Sequence, residues 1–180
     1  MSILNCLGYF QDDSADRRLF GFINVIPPKA SQLSIPVSLN ELLQDVRNPK
    51  RTFALPTLPQ RIRIAQRLAI TFLELHNSEW LHKSFHSDNV IFFKQNDKVV
   101  QFEAPYVCGF EFSRPDQVSA ISFDVQSSLM DIYRHPSLRG PFQPGKERPR
   151  YQRAYDVYSL GLVLLEIGLW QSVRAFQKVD

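Results

Sequence analysis

The stretch His82-Lys83-Ser84-Phe85-His86-Ser87-Asp88-Asn89, called the polar loop below, runs directly into the apolar residues Val90-Ile91-Phe92. The polar loop follows the clearest helix signal of the chain, in which Ile64, Leu68 and Phe72 recur at the 3.6-residue spacing of one helix face. A short apolar run after a polar loop is typical of a strand. The centre of the chain is therefore predicted to fold as a long helix, a loop and a strand.

Two capping boxes mark the start of helices on the N-terminal side of the polar loop. Thr57 and Gln60 have this spacing at the start of the long helix, and Ser38 and Glu41 have it before a shorter apolar pattern. In a capping box each side chain bonds the backbone N–H of the other residue, which satisfies two donors that the helix leaves free. We expect both helices to begin at these residues.

Four apolar runs predict two antiparallel hairpins, one at the N-terminus and one after the polar loop. The turns between the paired strands are the polar residues 11–16 and 94–98. Pro27-Pro28 ends the second strand, because proline cannot donate to a strand ladder. The predicted strands are Ser2–Phe10, Arg18–Ile26, Asn89–Phe93 and Val99–Phe102.

The C-terminal part of the chain is predicted to contain a long irregular segment, Pro115–Arg153, and one helix, Asp156–Trp170. An irregular segment of this length is usually functional or mobile. The helix is apolar nearly all round, which is typical of a helix inside a domain. Because only ten residues follow Trp170, we expect that the chain is a fragment of low solubility whose covering helices belong to a longer protein.

Composition and charge exclude several classes of protein. The 180 residues carry 21 lysines and arginines against 18 acids, a net charge of +3 that is too small to indicate nucleic-acid binding. Two cysteines cannot form a disulfide framework, so a cytoplasmic, intracellular location is expected. The longest apolar run, Leu160–Leu165, is too short to span a membrane. The histidines and Cys108 lack the spacing of zinc ligands, and no metal site is predicted from them.

Four segments, in this order, resemble the motifs of protein kinases. The polar loop is similar to the kinase catalytic loop, H-R-D-L-x-x-x-N, with His82, Lys83 and Asn89 at the positions of its His, Arg and Asn. The second segment, Val107–Arg114, is similar to the metal-binding stretch around D-F-G, and the third, Tyr133–Ser137, stands where A-P-E is expected. The fourth, Tyr155–Gly161, is similar to the start of the buried helix after the activation segment. The residues of these segments resemble those of one kinase-like family of filamentous fungi, often found C-terminal to HeLo or prion-inhibition-and-propagation domains.

The resemblance covers about residues 2–177 and implies an α+β, protein-kinase-like fold that is truncated at both ends. Residues 1–28 would be the end of the small lobe, a strand hairpin followed by the hinge at Asn24–Pro28. Residues 29–180 would be part of the helical large lobe, with the degenerate catalytic loop, an activation-like segment and the central buried helix. The large lobe therefore accounts for most of the chain.

The positions that carry kinase chemistry differ in this sequence. The catalytic Asp, which orients or accepts the proton of the substrate hydroxyl, is Ser84, a poor base at neutral pH. The Lys two residues further on is His86, and the metal-binding Asp of D-F-G is Gly109, followed by Phe110 and Glu111. Mg²⁺ prefers carboxylate oxygens, and glycine offers no ligand. The resemblance therefore implies a pseudokinase with a regulatory or protein-binding role in fungal signalling or incompatibility.

Asp156 is the acid that the resemblance assigns to the scaffold. It stands at the start of the last helix, where the corresponding kinase aspartate accepts backbone N–H bonds from the catalytic loop and fixes its shape. His82 would brace the same loop, and Asn89 is interpreted mainly as a turn residue before a strand. Asp156 is present, whereas Ser84 and Gly109 replace the catalytic and the metal-binding aspartate. The resemblance therefore implies a domain that keeps the kinase fold but does not catalyse phosphoryl transfer.

Two alternatives remain open. A divergent serine/threonine kinase would bind ATP and Mg²⁺ and use a displaced carboxylate, Asp88 or Glu111, and the hinge backbone could hold adenine although Pro27 and Pro28 lack N–H donors. An interaction module without nucleotide would instead bind an acidic partner, phosphate groups or nucleic acid through a basic run. The basic run consists of Arg134, His135, Arg139, Lys146, Arg148, Arg150 and Arg153.

Overall fold

The structure is a computed structural model that describes residues 2–12, 19–31, 35–95, 99–116, 131–139 and 149–176. These residues form a mixed α+β arrangement of three α-helices and several small antiparallel sheets, so the predicted α+β class is confirmed. The helices are α1 (Leu39–Asp45), α2 (Leu58–Asn77) and α3 (Arg153–Leu169). The strands are β1 (Cys6–Asp12), β2 (Leu19–Asn24), β3 (Val37–Ser38), β4 (Trp80–Leu81), β5 (Val90–Phe92), β6 (Lys94–Gln95), β7 (Val99–Val100), β8 (Tyr106–Val107) and β9 (Arg114–Pro115).

The predicted N-terminal hairpin is present. β1 and β2 pair in antiparallel register with Tyr9 opposite Phe22, while the turn residues 13–18 lie outside the described residues. Tyr9 and Phe22 are mostly exposed, and Phe10, which alternation along the strand places on the other face, is exposed as well. The hairpin therefore presents apolar side chains to solvent on both faces.

Both predicted capping boxes are also present. At the start of α1, Glu41 N donates to Ser38 Oγ over 3.1 Å and Ser38 N donates to Glu41 Oε2 over 2.7 Å. At the start of α2, Thr57 N donates to Gln60 Oε1 over 2.9 Å. Because these hydrogen bonds are local, the sequence alone locates the first residue of each helix.

The second predicted hairpin is partly wrong. β5 does not pair with β7 but lies between β3 and β8 in a three-stranded antiparallel sheet. The hairpin joins β6 and β7 instead, and residues 96–98 between them lie outside the described part of the chain. Val90 and Phe92 are fully buried, so their strand belongs at the centre of a sheet, whereas the polar Lys94 and Gln95 suit an outer hairpin.

α2 and α3 pack antiparallel and close the main core over the three-stranded sheet. Arg61, near the start of α2, donates to Gly168 O at the end of α3 over 3.3 Å, and His76, near the end of α2, lies 3.2 Å from Asp156 in the first turn of α3. These contacts join the two helices at both ends. Fully buried members of the core are Ile64, Leu68, Val90, Phe92 and Val163.

α3 is not buried on every side, contrary to the prediction from its apolar sequence. It begins at Arg153, before the predicted Asp156, and ends where Trp170 takes a left-handed conformation with φ 51°. Val157, Leu165 and Leu169 are 54%, 49% and 53% exposed. One face of the helix lies in the core, and the opposite face, which is also apolar, is open to solvent.

Parts of the predicted irregular segment have regular structure. β9 pairs with β4, the strand that directly precedes the polar loop. Two 3₁₀ turns occupy Asp131–Tyr133 and Pro136–Leu138. Residues 117–130 and 140–148 of this segment lie outside the described residues. Within the described ranges, no helix has the length and apolar character needed to cross a membrane.

Candidate functional site

Asp156 holds the start of the polar loop through its buried carboxylate. The backbone N–H groups of His82 and Lys83 donate to it over 2.8 and 2.9 Å. Tyr151 OH donates to it over 2.8 Å, and His76 Nε2 lies 3.2 Å away. The backbone hydrogen bonds expected between Asp156 and the polar loop are therefore present, and two side chains add to them.

The charge of Asp156 is stabilised by these donors. Burial by itself raises the pKa of this carboxyl, but the hydrogen bonds from His76, from the backbone of Lys83 and His82 and from Tyr151 outweigh it. The pKa of Asp156 consequently lies below its usual value. An ionised carboxylate with several donors is suited to fixing a backbone shape.

His82 lies inside a cluster of aromatic rings. Its ring centroid is 5.9 Å from that of Phe72, 5.3 Å from Phe85 and 4.9 Å from Phe110. Its Nε2–H donates to Cys108 O over 3.0 Å, and burial lowers the pKa of the imidazole. A neutral, buried His82 therefore joins the polar loop to the chain that follows β8 by packing and by one hydrogen bond.

Asn89 and Gly109, two positions at which the resemblance implies metal ligands, are in direct contact. Gly109 has φ 81°, and a Cβ at this position would overlap with Asn89 Nδ2. Asn89 Oδ1 accepts from His86 N over 3.2 Å, and Cys108 N donates to Asn89 O over 2.9 Å. The pair does not fit Mg²⁺, because neither position supplies a carboxylate and the Asn89 amide oxygen already accepts a protein hydrogen bond.

Asp88 precedes Asn89, yet its carboxylate contacts other elements. Asn40 of α1 donates to its Oδ1 over 2.7 Å, and Arg174 Nη2 lies 3.5 Å from its Oδ2. The hydrogen bond with His86 lowers the pKa of Asp88, and partial burial does not reverse this effect. Asp88 thus joins the polar loop to α1 and to the 3₁₀ turn Val173–Phe176, which contains Arg174.

The remaining predicted site residues stand at the edge of this arrangement. Lys83 has φ 74°, and its Nζ lies 5.7 Å from the ring centroid of Tyr151. Ser84 is half-buried, and Glu111 is exposed in the turn after Phe110. At the position where the resemblance implies a base, the protein offers a neutral hydroxyl.

The predicted hinge, Asn24–Pro28, offers little to an adenine ring. Val25 N already donates to Asn5 O over 2.8 Å. Pro27 and Pro28 have no N–H to donate. Three of the five hinge residues therefore supply no backbone donor to a ligand.

Sequence reasoning missed a second buried polar cluster. Glu166 of α3 is fully buried and accepts from Tyr133 OH over 2.7 Å and from Val173 N over 2.9 Å, and Tyr133 OH lies 2.9 Å from Ser87 Oγ. Burial raises the pKa of Glu166. The available signal was Glu166 itself, the single charged residue between Asp156 and the end of α3.

A family model matches residues 11–179, which is nearly the whole chain. The chain belongs to DUF7580, a domain of unknown function. No curated protein matches it. The polar loop and both buried acids of α3 lie within the matched residues of this DUF7580 chain.

The basic run is partly neutralised within the DUF7580 chain. Arg153 Nε lies 3.0 Å from Asp116 Oδ2, and Arg150 Nη2 lies 3.9 Å from Asp116 Oδ1. Lys146 and Arg148 lie outside the described residues. Because two of the basic side chains share one carboxylate, they are less suited to bind a phosphate than the sequence suggests.

Proposed function

We propose that this chain is a protein-kinase-like module of the pseudokinase type, which regulates or binds protein partners and lacks efficient phosphoryl transfer. Residues 29–180 would form part of a large lobe, and residues 1–28 the end of a small lobe. In a fungal protein of the HeLo-associated type, such a module would act in signalling or incompatibility.

The contact between Asn89 and Gly109 carries this proposal. Phosphoryl transfer depends on Mg²⁺ to neutralise the developing charge, and carboxylate oxygens hold that metal. Here the metal-ligand position has no side chain, and its conformation leaves no room for one while Asn89 keeps its place. A carboxylate from elsewhere is a poor substitute, because a misplacement of about 1 Å can cost about 10²-fold in rate.

The hydrogen bonds and packing that hold the polar loop support a kinase-like fold that is kept without phosphoryl transfer. Asp156 bonds the loop backbone at two residues, and His82 packs on Phe110. Ser84 stands in this well-held loop at the position of the base. Loss of a general base typically removes about 10²–10⁴-fold in rate.

The divergent-kinase alternative depends on Asp88 or Glu111. The contacts of Asp88 with Asn40 and Arg174, together with its lowered pKa, make it a weak base that is held toward α1. Glu111 is exposed and remains the stronger candidate of the two.

The proposal is tested by a phosphoryl-transfer assay with radiolabelled ATP, Mg²⁺ and a general protein substrate. The assay compares the 180-residue chain, and any longer protein that contains it, with Glu111→Gln and Asp88→Asn variants. We expect no Mg²⁺-dependent transfer above a heat-denatured control. Mg²⁺-dependent transfer that disappears in either variant would overturn the proposal and support an active kinase.

A further inference from the structure

Five cationic side chains from three segments of the chain come together beside the loop that joins α1 to α2. Lys94 of β6 places its Nζ 5.8 Å from the ring centroid of Phe53, which belongs to that loop. Ser31 N donates to Lys94 O over 2.9 Å, which brings the turn before Ser31 alongside β6. The five residues, called the basic patch below, are Lys29, Arg47, Lys50, Arg51 and Lys94.

The backbone of the loop is held by the carboxylate of Asp45, the last residue of α1. Thr52 N and Phe53 N each donate to Asp45 Oδ2 over 2.9 Å. Lys50 N donates to Asn48 Oδ1 over 2.9 Å, and Phe53 packs against the main core. Because the backbone between the cations is fixed in advance, a partner that binds them has little ordering of the loop to offset.

The cations of the basic patch have no acidic partner among the residues that the structure describes. Asp45, the acid nearest to Arg47 along the chain, accepts from the backbone of its own loop instead. Basic side chains elsewhere in the described ranges do pair with carboxylates, namely those of Arg63, Arg134, Arg150, Arg153 and Arg174. Four of the five members of the basic patch are also exposed. The patch therefore presents positive charge that the described residues do not neutralise.

The uncharged neighbours of the basic patch distinguish between anionic partners. In residues 29–31, 47–53 and 94–95, all of which the structure describes, no large apolar side chain is exposed that could enter a membrane. The one aromatic ring in these ranges, that of Phe53, is half-buried and lies against the core and Lys94, so a nucleic-acid base has no free ring to stack on. The exposed neighbours include Asn48, Thr52 and Gln95, which are polar. Cations among hydrogen-bonding side chains suit the carboxylates and the backbone of a protein segment.

We infer that the basic patch is a docking surface for an acidic segment of a partner protein. Carboxylates spaced along such a segment would reach cations from all three segments of the patch. The inference rests on the protein-binding role in the proposed function and adds the chemistry of the partner.

The experiment is fluorescence anisotropy of a labelled peptide in which five glutamates alternate with serines, titrated with the 180-residue chain. We expect saturable binding that weakens as salt rises from about 50 to about 300 mM, because salt screens exposed charges. Lys50→Glu/Arg51→Glu replaces two attractions by two repulsions and is expected to weaken binding by about 10-fold or more. Both side chains are exposed, so the Tm of this variant should match that of the wild type.

The matched control is Arg150→Glu/Arg153→Glu, which makes the same change of charge beside the other end of α2. The basic patch adjoins the start of α2, whereas His76, near the end of α2, contacts Asp156 in the first turn of α3. A helix of 20 residues is about 30 Å long, which exceeds the Debye length of about 8–10 Å at physiological salt. The control should therefore bind the peptide within about twofold of the wild type.

Absence of peptide binding at low salt, or equal losses of affinity in the two double variants, would overturn the inference. A single-stranded oligonucleotide with five phosphates and vesicles that contain phosphatidylserine are titrated in the same way, and tighter binding of either one than of the peptide would overturn it too. The assay contains no ATP or Mg²⁺. A negative result therefore leaves the phosphoryl-transfer test of the proposed function unaffected, and phosphoryl transfer in that test would not abolish peptide binding.

Discussion

At the scale of single residues, the two buried acids of α3 show how hydrogen-bond donors decide the state of a carboxyl group. Asp156 receives two backbone N–H groups and a tyrosine hydroxyl, and its pKa is lowered despite burial. Glu166 accepts from one backbone N–H group, that of Val173, and from the hydroxyl of Tyr133, and burial raises its pKa. The fold therefore stabilises the ionised form of Asp156 and disfavours the ionised form of Glu166.

Removal of the Asp156 carboxylate is expected to destabilise the chain strongly. Asp156→Ala leaves the N–H groups of His82 and Lys83 and the hydroxyl of Tyr151 without their buried acceptor, which should cost about 3–5 kcal/mol in the free energy of unfolding. Urea unfolding at pH 7 measures this loss. Asp156→Asn keeps one oxygen as an acceptor and should cost less.

The cost of Asp156→Asn should depend on pH. Because the folded-state pKa of Asp156 is below its usual value of 3.8, its stabilisation is complete above that value and is lost as the pH falls through the folded-state pKa. The difference between wild type and Asp156→Asn should therefore narrow under acid conditions. An equal difference at neutral and strongly acid pH would contradict this account.

Gly109 is expected to tolerate no side chain. Gly109→Ala combines a left-handed conformation, which costs about 1–2 kcal/mol, with overlap on Asn89 Nδ2. Thermal unfolding should show a loss of at least this size. The double variant Gly109→Ala/Asn89→Ala removes the overlap, so the two changes should be less than additive; full additivity would show that the two residues do not interact.

At the scale of elements, helix ends and helix faces follow different rules. α1 and α2 start at capping residues whose partners are three positions away. The outer face of α3 and the surroundings of Glu166 depend instead on segments far along the chain, Tyr133 and Val173 among them. Local signals therefore locate helices, while contacts that are distant in sequence decide which side of a helix is buried.

Replacement of Glu166 by glutamine should flatten the pH dependence of stability. A raised folded-state pKa means that the penalty for ionising Glu166 is absent below its usual value of 4.5 and grows as the pH rises through the folded-state pKa. The Tm of Glu166→Gln minus that of the wild type should therefore increase from acid to neutral pH. Scanning calorimetry at several pH values measures this difference. A Tm difference that is the same at every pH would refute the raised pKa.

At the scale of the whole molecule, the described residues form a main core, a smaller cluster of Leu81, Tyr151 and Tyr155, and exposed apolar surfaces. The core lies between α1, α2, α3 and the three-stranded sheet. The hairpin of β1 and β2 and the outer sides of α2 and α3 expose apolar side chains instead. The prediction that α3 is buried on all sides is wrong within the described residues, because Val157, Leu165 and Leu169 are exposed.

Hydrogen exchange should separate the hairpin from the core. A two-stranded hairpin with both faces exposed is only marginally stable, so its amides should exchange close to the rate of an unfolded chain. Amides around Leu68 and Val163, which are fully buried, should be protected until global unfolding. Mass spectrometry of the labelled chain measures both, and strong protection of Tyr9 and Phe22 would contradict the prediction.

The sequence by itself determined the local features of this protein. The helix starts at Ser38 and Thr57 depend on hydrogen bonds between residues three positions apart. The pairing of β1 with β2 joins two strands that follow each other directly in the chain. The hydrogen bonds that the backbone of His82 and Lys83 donates to Asp156 were expected only because a resemblance supplied a long-range relation that composition and spacing do not contain.

Only the tertiary structure decided the partners of groups that are distant in sequence. β5 lies between β3 and β8 because burial of Val90 and Phe92 outweighs the shorter connection to β7. Asn89 meets Gly109, and Glu166 meets Tyr133, across 20 and 33 residues, and no periodicity encodes such pairs. The physical reason is that hydrogen bonds within one turn of a helix are set by the chain itself, whereas packing depends on how all elements share one limited interior.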